Sequence, residues 1–341
     1  MPRKNPAKRL TNRQQIRIAE MRQERQQKKA DNNLVVFERL AQTELLPPEV
    51  GRVVAHFGFN VEIEDANGVR FRCAVRETAG MEPVCGDLVS LSRTAKTPWQ
   101  GVIWSILERK NALPRPLLGG GIQTTAANID YLLVTLSADK PNLGLLDRYL
   151  VAAEANALEP VIVLNKMDLV APQATPLESF QPYLSMGYRL YPISAVTSAG
   201  MPELELLLRG KISVLAGHSG VGKSSIIARW VNDEDKPVIG ESHEPTGQGR
   251  HTTTVARLHH LPGGGSLIDS PGVREFGLVN VTRGSLAHFF RDMATHAGPC
   301  RFADCSHRHE PGCCVKAAVS SGNVTQRRYD SMVRIFDSLP P

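Results

Sequence analysis

No apolar run in this sequence approaches the ~18 residues that a membrane-spanning helix needs, so no spanning segment is expected. The first ten residues, Met1 to Leu10, hold no apolar core segment, and no secretory signal is expected there. Cysteine is scarce, six in 341 residues, which excludes a disulfide-dense scaffold. No internal repeat is present. Hydrophobic residues at 42% and charged residues at 22% are ordinary globular proportions, which exclude wholesale disorder, collagen and a coiled-coil rod. The length fits two or three domains of about 100–200 residues each.

Charge is present but unevenly placed. Residues 1–33 hold ten basic and three acidic side chains, so the net +6 of the chain resides in that segment and the remainder is close to neutral. The segment has almost no large apolar residues and cannot bury enough surface to fold alone. A basic, disordered arm is therefore expected over 1–33. Its composition suits a polyanion, RNA first, while Glu20 and Glu24 argue against an organelle transit peptide.

Residues 50–107 read as five short strands: Arg52 to Phe57, Asn60 to Glu64, Val69 to Val75, Asp87 to Ser92 and Val102 to Leu107. Asn67-Gly68, Gly80, Gly86 and Pro98 separate them. Five strands in so short a stretch predict an OB-fold β-barrel, placed at 34–108. From about residue 110 the pattern changes. Apolar runs such as Tyr131 to Leu136 and Val161 to Leu164 alternate with helical stretches at 145–157 and 202–209. That alternation predicts an α/β domain with a mostly parallel sheet over 109–280. A mainly helical domain is expected over 281–341.

Inside the α/β region, the apolar run Ile212 to Ala216 leads into Gly217-His218-Ser219-Gly220-Val221-Gly222-Lys223-Ser224-Ser225, and a helix is expected from Ser225 to Val231. This is the phosphate-loop pattern in its required strand-to-helix setting. Glycines let backbone N–H groups approach phosphate oxygens, and the helix N-terminus adds positive partial charge. Lys223 is expected at the β- and γ-phosphates, and the Ser224 hydroxyl on Mg²⁺. The base is read elsewhere. In Asn165-Lys166-Met167-Asp168 the Asp168 carboxylate can accept from both N1–H and N2–H₂ of guanine, a donor pair that adenine lacks. Ser194-Ala195 ends the run Tyr188 to Ile193, and its backbone can donate to guanine O6. Asp269-Ser270-Pro271-Gly272 ends the run Ser266 to Ile268; Asp269 is expected to hold Mg²⁺ through water, and the Gly272 N–H to contact the γ-phosphate. A metabolic P-loop kinase does not account for the guanine reader, so the set predicts a GTPase.

The order of these segments is unusual. Ordinary GTPases run from phosphate loop through Asp-x-x-Gly to Asn-Lys-x-Asp and Ser-Ala. Here Asn-Lys-x-Asp and Ser-Ala come first, so the G domain is circularly permuted. The same sheet can still close, because contacts rather than chain order define a core.

Near the C-terminus, Cys300, Cys305, His307 and Cys313 offer three thiolates and one imidazole, a suitable set for one closed, structural Zn²⁺. His309 and Cys314 are rival ligands by proximity. Cys73 and Cys85 read as small apolar fillers.

With these motifs in place, and with Gly249-Arg250-His251-Thr252-Thr253-Thr254 between phosphate loop and Asp269, the sequence resembles the circularly permuted, small-ribosomal-subunit-dependent GTPases, the RsgA (YjeQ) family. The resemblance covers nearly the whole chain. It implies a cytoplasmic, monomeric GTP hydrolase (GTP to GDP and phosphate) that binds the small subunit and its rRNA late in maturation. Stimulation of turnover by the subunit and control of release by the GTP/GDP state are implied with it. It also selects Cys300, Cys305, His307 and Cys313 as the zinc ligands. The position after Gly272 is Val273, which cannot orient the attacking water as the glutamine of Ras-like enzymes does. His251, in a Gly/Pro-rich loop, is the candidate for that role, and the resemblance points to it as well. Among Thr252, Thr253 and Thr254, Thr253 is chosen for Mg²⁺, although sequence alone does not separate it from its neighbours. No arginine finger is recognisable in cis, with Arg250 a weak candidate, so slow intrinsic turnover is expected. The missing glutamine also admits a GTP-responsive RNA-binding module that does not hydrolyse.

Overall fold

In the computed structural model, the residues described are 44–57, 60–75, 82–96, 100–117, 121–171, 173–230, 256–269 and 277–340. The expected basic arm, Val231 and the 249–254 segment lie outside them. The chain forms two compact units, one built on residues before 109 and the other on nearly everything after.

The first unit is a five-stranded barrel. Strands β1 (Glu49–Phe57), β2 (Asn60–Glu64), β3 (Arg70–Val75), β4 (Leu88–Arg93) and β5 (Gln100–Ile106) match the expected five within a few residues. The barrel closes in the order β1-β2-β3-β5-β4 and back to β1, with only β3–β5 parallel, which is OB-fold topology. Alternation points every second side chain inward. Val53, Val61, Ile63, Phe71, Cys73, Val89, Leu91 and Ile103 thereby form one buried cluster, each large side chain contributing about 1.5–3 kcal/mol of burial. Cys73 is the filler expected of it.

The second unit carries a hairpin of β6 (Ala112–Pro116) and β7 (Ile122–Ala127), then the main sheet. The sheet strands are β8 (Tyr131–Ser137), β9 (Glu159–Asn165), β10 (Arg189–Pro192), β11 (Ile212–Ala216), β12 (Arg257–His260) and β13 (Ser266–Asp269). Their order is β10-β9-β8-β11-β13-β12, parallel except for the antiparallel β12–β13 edge. The hairpin and β12 have no counterpart in the sequence reading. β6 is interrupted by Pro114 and Pro116, and β12 is only four residues long, so neither shows a clear strand period.

Helices cover both faces of this sheet. On one side α3 (Met201–Leu208) and α4 (Lys223–Trp230) bury Met201, Leu204, Leu208, Ile226 and Trp230 against Leu133, Val161, Val163, Leu215 and Leu267. On the other side α1 (Leu143–Ala155) packs on β8 and β9. Asn142 caps α1, its side-chain oxygen accepting from the Leu145 N–H at 3.0 Å. A short helix α2 (Gln181–Ser185) precedes β10. The C-terminal helices α5 (Arg291–Ala297), α6 (Cys314–Ser320) and α7 (Gln326–Ser338) share a core in which Phe290, Met293, Val315, Met332, Ile335 and Phe336 meet Val151 of α1. In α7 the buried set Arg328, Ser331, Met332, Ile335 and Phe336 follows the helical period, so one stripe faces the core. Among the described residues no helix is long and apolar enough to cross a membrane.

Candidate nucleotide site and Cys/His centre

The parallel strands deliver the motif residues to one edge of the sheet, because each motif begins where its strand ends at the carboxyl side. Register places β11 between β8 and β13, and β9 beside β8. The phosphate loop after β11, Asn165 ending β9, Ser194 after β10 and Asp269 ending β13 therefore lie along the same rim.

Asn165 joins three of these segments. It is 1% exposed; its Nδ2 donates to the Val221 carbonyl at 2.9 Å, and its Oδ1 accepts from the Ala195 N–H at 3.0 Å. Within the Ser194-Ala195 backbone expected at guanine O6, the Ala195 N–H is thus engaged with Asn165. Gly222 leaves room for this arrangement: at φ +93° a Cβ there would lie 2.3 Å from Asn165 Nδ2, so no side chain fits. Lys166 adopts a left-handed backbone (φ 66°) that turns the chain into the short 3-10 segment Met167–Leu169. The Met167 N–H is bound by the Ile193 carbonyl at 3.1 Å, which fixes this turn to the loop bearing Ser194.

Ser194 Oγ donates to Asp168 Oδ1 at 2.5 Å and accepts from the Thr197 N–H at 3.1 Å. The Asp168 carboxylate is thereby steered by the neighbouring loop. Lys223 opens α4 and folds its ammonium back over the phosphate loop, donating to the carbonyls of Gly217 at 2.5 Å and His218 at 2.8 Å. Ser224 and Ser225 follow in the first turn of the helix, and His218, Ser219 and Gly220 form the exposed crest of the loop. His251, Thr253 and Gly272 lie outside the described residues.

Arg229, in the last turn of α4, is a participant that sequence reading missed. Its Nε donates to the Ala195 carbonyl at 2.8 Å and its Nη2 to the Val196 carbonyl at 2.6 Å. The guanidinium fork ties the phosphate-loop helix to the Ser194-Ala195 loop. Nothing in the sequence separates this arginine from a solvated one, since its partners are backbone atoms of a distant loop.

The Cys/His set forms a second, separate centre. One ligand atom from each of Cys300, Cys305, His307 and Cys313 lies within 4.8 Å of all the others. His307 Nδ1 is 3.5 Å from Cys300 Sγ and 3.5 Å from Cys313 Sγ. A tetrahedral zinc with Zn–S near 2.3 Å and Zn–N near 2.0–2.1 Å spaces its ligand atoms by roughly 3.5–3.8 Å, so the donor set fits that ion. Backbone N–H groups support the sulfurs: Cys314 donates to Cys300 Sγ at 3.3 Å, and Lys316 to Cys313 Sγ at 3.5 Å as the cap of α6. Burial raises the cost of ionising Cys300, but the Cys314 N–H and the neighbouring thiols outweigh it and hold the thiol below its ordinary value. The rival Cys314 instead turns its sulfur to the Pro299 carbonyl at 3.0 Å, and His309 is not in the group. His307 sits at φ 61°, and Tyr329 of α7 donates to its carbonyl at 2.8 Å. Glu310 closes the loop by accepting from the Ser306 hydroxyl and from the N–H groups of Ser306, Arg308 and His309.

Comparison with known proteins agrees with this architecture. The RsgA GTPase family matches residues 106–279. "Small ribosomal subunit biogenesis GTPase RsgA" of Marinobacter nauticus is 41% identical over 97% of this chain and 96% of its own length. The protein of the same name from Photorhabdus laumondii is 39% identical over 97% and 95%. Among solved structures, YjeQ from Thermotoga maritima superposes with a TM-score of 0.70 at 32% identity, covering 86% of this chain and 99% of that one. YloQ, described as a circularly permuted GTPase, gives 0.67 at 26% identity over 86% and 97%. With the family matching half of the chain and relatives aligning along nearly all of it, the chain belongs to the RsgA GTPase family.

Proposed function

We propose that this GTP-hydrolysing enzyme acts on the small ribosomal subunit late in its maturation, in the cytoplasm and as a monomer. In this reading the subunit accelerates turnover, and the change from GTP to GDP controls release. The observation that carries the nucleotide site is Asn165, whose side chain joins the phosphate loop to the Ser194-Ala195 loop across long stretches of chain. The ribosomal substrate rests on the names of relatives that align along almost the entire sequence.

Asp168, steered by Ser194, accepts from guanine N1–H and N2–H₂ and leaves an adenine base with an unpaired carboxylate. Lys223 exchanges the carbonyls of Gly217 and His218 for β- and γ-phosphate oxygens, a trade of neutral acceptors for charged ones. The N–H groups of the 217–225 loop surround the phosphates. Ser224, Asp269 and Thr253 would hold Mg²⁺, which neutralises charge on the β- and γ-oxygens. Gly272 contacts the γ-phosphate through its N–H, and His251 orients the attacking water that Val273 cannot. Cys300, Cys305, His307 and Cys313 would hold one structural zinc; four protein ligands leave no open position for chemistry. The basic 1–33 segment and the barrel add RNA contacts.

The test is GTP turnover measured with purified small subunits, with large subunits and with neither. Stimulation by small subunits alone is expected. Equal rates in all three overturn the ribosomal assignment, and equal competition by ATP overturns the guanine assignment.

A further inference from the structure

One thiol lies outside the Cys/His set and yet is held against it. Cys314 opens α6 directly after the ligand Cys313. Its N–H donates to Cys300 Sγ at 3.3 Å, and its own Sγ donates to the carbonyl of Pro299, the residue before Cys300, at 3.0 Å. Main chain and side chain of Cys314 thus both rest on the 299–300 segment. These two contacts put residues 300 and 314 side by side, the juxtaposition that a disulfide requires.

Exposure selects the same pair. Of the four ligands, Cys305, His307 and Cys313 are buried, and only Cys300 is partly exposed. Cys314 is partly exposed as well, whereas Cys73 and Cys85 are buried. An oxidant arriving from water therefore meets the Cys300 sulfur first, with a spare thiol beside it. Cys313 is a poor partner for Cys314. Its sulfur is occupied in capping α6, accepting from the Lys316 N–H at 3.5 Å, and side chains of adjacent helical residues do not face each other.

We propose that Cys300 and Cys314 form a peroxide-responsive pair that discharges the zinc, with Cys300 as the sulfur oxidised and Cys314 as the thiol that resolves it. The oxidant is hydrogen peroxide. The Cys300 thiolate attacks one peroxide oxygen; the O–O bond breaks, an S–O bond forms, and hydroxide leaves. The Cys314 sulfur then attacks the sulfenic acid. The S–O bond breaks, the S–S bond forms, and the Cys314 proton leaves with the displaced hydroxyl as water. Two electrons pass from the two sulfurs to the peroxide. Loss of the Cys300 thiolate leaves two thiolates and one imidazole, which cannot close a tetrahedral shell, and release of the ion follows. A dithiol reductant returns Cys300 to the set, so the change is reversible, as transient redox-sensing disulfides in reducing compartments are. The inference rests on the reading of the Cys/His set as a zinc centre.

The experiment uses the full chain, loaded with zinc under reductant and moved to reductant-free buffer. Excess hydrogen peroxide is added, released zinc is read with a chromophoric chelator, and the linked peptides are mapped by mass spectrometry. Wild type should release its zinc and show a Cys300–Cys314 link. Dithiothreitol with added zinc should then restore the bound ion. Cys313 and Cys314 share the tryptic peptide 309–316, so fragmentation within that peptide assigns the link. Cys314→Ala keeps the N–H that supports Cys300 and removes only the thiol. Its zinc content before oxidation should equal that of wild type. After peroxide its Cys300 should advance to the irreversible sulfinic acid, and dithiothreitol should not restore zinc. Zinc retained by wild type under peroxide, a wild-type link from Cys300 to Cys305 or Cys313, or recovery of Cys314→Ala as complete as that of wild type overturns the proposal. Loss of zinc in Cys314→Ala before any oxidant also overturns it, because Cys314 is then a ligand. If wild type binds no zinc at all, the reading of the centre has failed instead.

Discussion

The two centres of the second unit are assembled in opposite ways. The Cys/His centre is drawn from one short stretch, residues 300–313, closed by its own loop contacts: Glu310 to Ser306, Arg308 and His309, and the N–H of Cys314 to Cys300. The nucleotide rim is drawn from strand ends spread between Asn165 and Asp269, and it exists only because the sheet orders β9, β8, β11 and β13 side by side. A local centre couples its loop directly to what it binds, so the bound ion and the loop's own hydrogen bonds stabilise it together. A dispersed centre gains its geometry from the core beneath it, and single side chains such as Asn165 and Arg229 only trim the alignment. The first should therefore fail sharply when a ligand is lost, and the second should weaken by increments.

Removing one thiolate gives the largest effect. Cys313→Ser takes away a metal ligand and weakens the cap of α6, so zinc content should drop below one per chain. The melting temperature should fall by an amount corresponding to several kcal/mol, within the ~10–16 kcal/mol that a structural zinc supplies in small fingers. Metal analysis and thermal unfolding check it; full zinc occupancy in the variant would mean that Cys314 has replaced the lost ligand and that the loop is less specific than its geometry implies.

Next comes Asp168→Asn. The guanine-facing acceptor pair loses its charge, so GTP binding should weaken by a few kcal/mol, at about 1.5–3 kcal/mol per charge-assisted hydrogen bond. Calorimetric titration with GTP and ATP reads both affinity and discrimination. Unchanged GTP affinity would place base recognition elsewhere on the rim.

A smaller loss is expected for Arg229→Ala, which frees the carbonyls of Ala195 and Val196 but leaves Asn165 in place. About 1 kcal/mol of GTP and GDP affinity should go, without change in the turnover of bound GTP, because the fork acts on ground state and transition state alike. A fall in turnover with affinity retained would make Arg229 part of the chemistry rather than of the frame.

The smallest effect sharpens the local side of the contrast. The Ser306 hydroxyl, followed by backbone N–H groups, holds the Glu310 carboxyl well below the usual carboxylate range despite some cost of burial. A carboxyl depressed in the folded state contributes stability that is complete above its unfolded value and disappears as pH falls through the folded one. Glu310→Gln cannot make that contribution. It should release zinc at slightly higher pH than wild type, with the two curves converging in strong acid. Coincident release curves would show that the loop is held by its metal ligands alone.

Much of this molecule is legible without coordinates. The five barrel strands follow from turn residues and alternation, and β2 falls at Asn60–Glu64 as expected. The phosphate loop, Asn165 to Asp168, Ser194-Ala195 and the Cys/His spacing are all short, contiguous patterns whose chemistry is carried by residue type. What escapes is of two kinds. The β6–β7 hairpin and β12 are short, and β6 carries two prolines, so their pairing depends on neighbours rather than on period. Arg229 and Asp147 look like ordinary helix residues, because their partners are backbone groups or charges far away in the chain.

The sequence by itself determined the chemistry available: which side chains can meet phosphate, guanine and a soft metal ion, and in what permuted order they occur. Those properties reside in residue identity and local spacing, which survive without a fold. Only the tertiary structure decided which of the rival side chains converge and what binds the convergent sets together. It turned Cys314 to the Pro299 carbonyl and left Cys300, Cys305, His307 and Cys313 as the group. It also buried Arg328 between Asp147 and Asp292, so that α1 and the C-terminal helices share one ionic cluster. The physical reason is that a buried charge has to find its opposite wherever the packed core puts it, and that partner carries no mark in the linear chain.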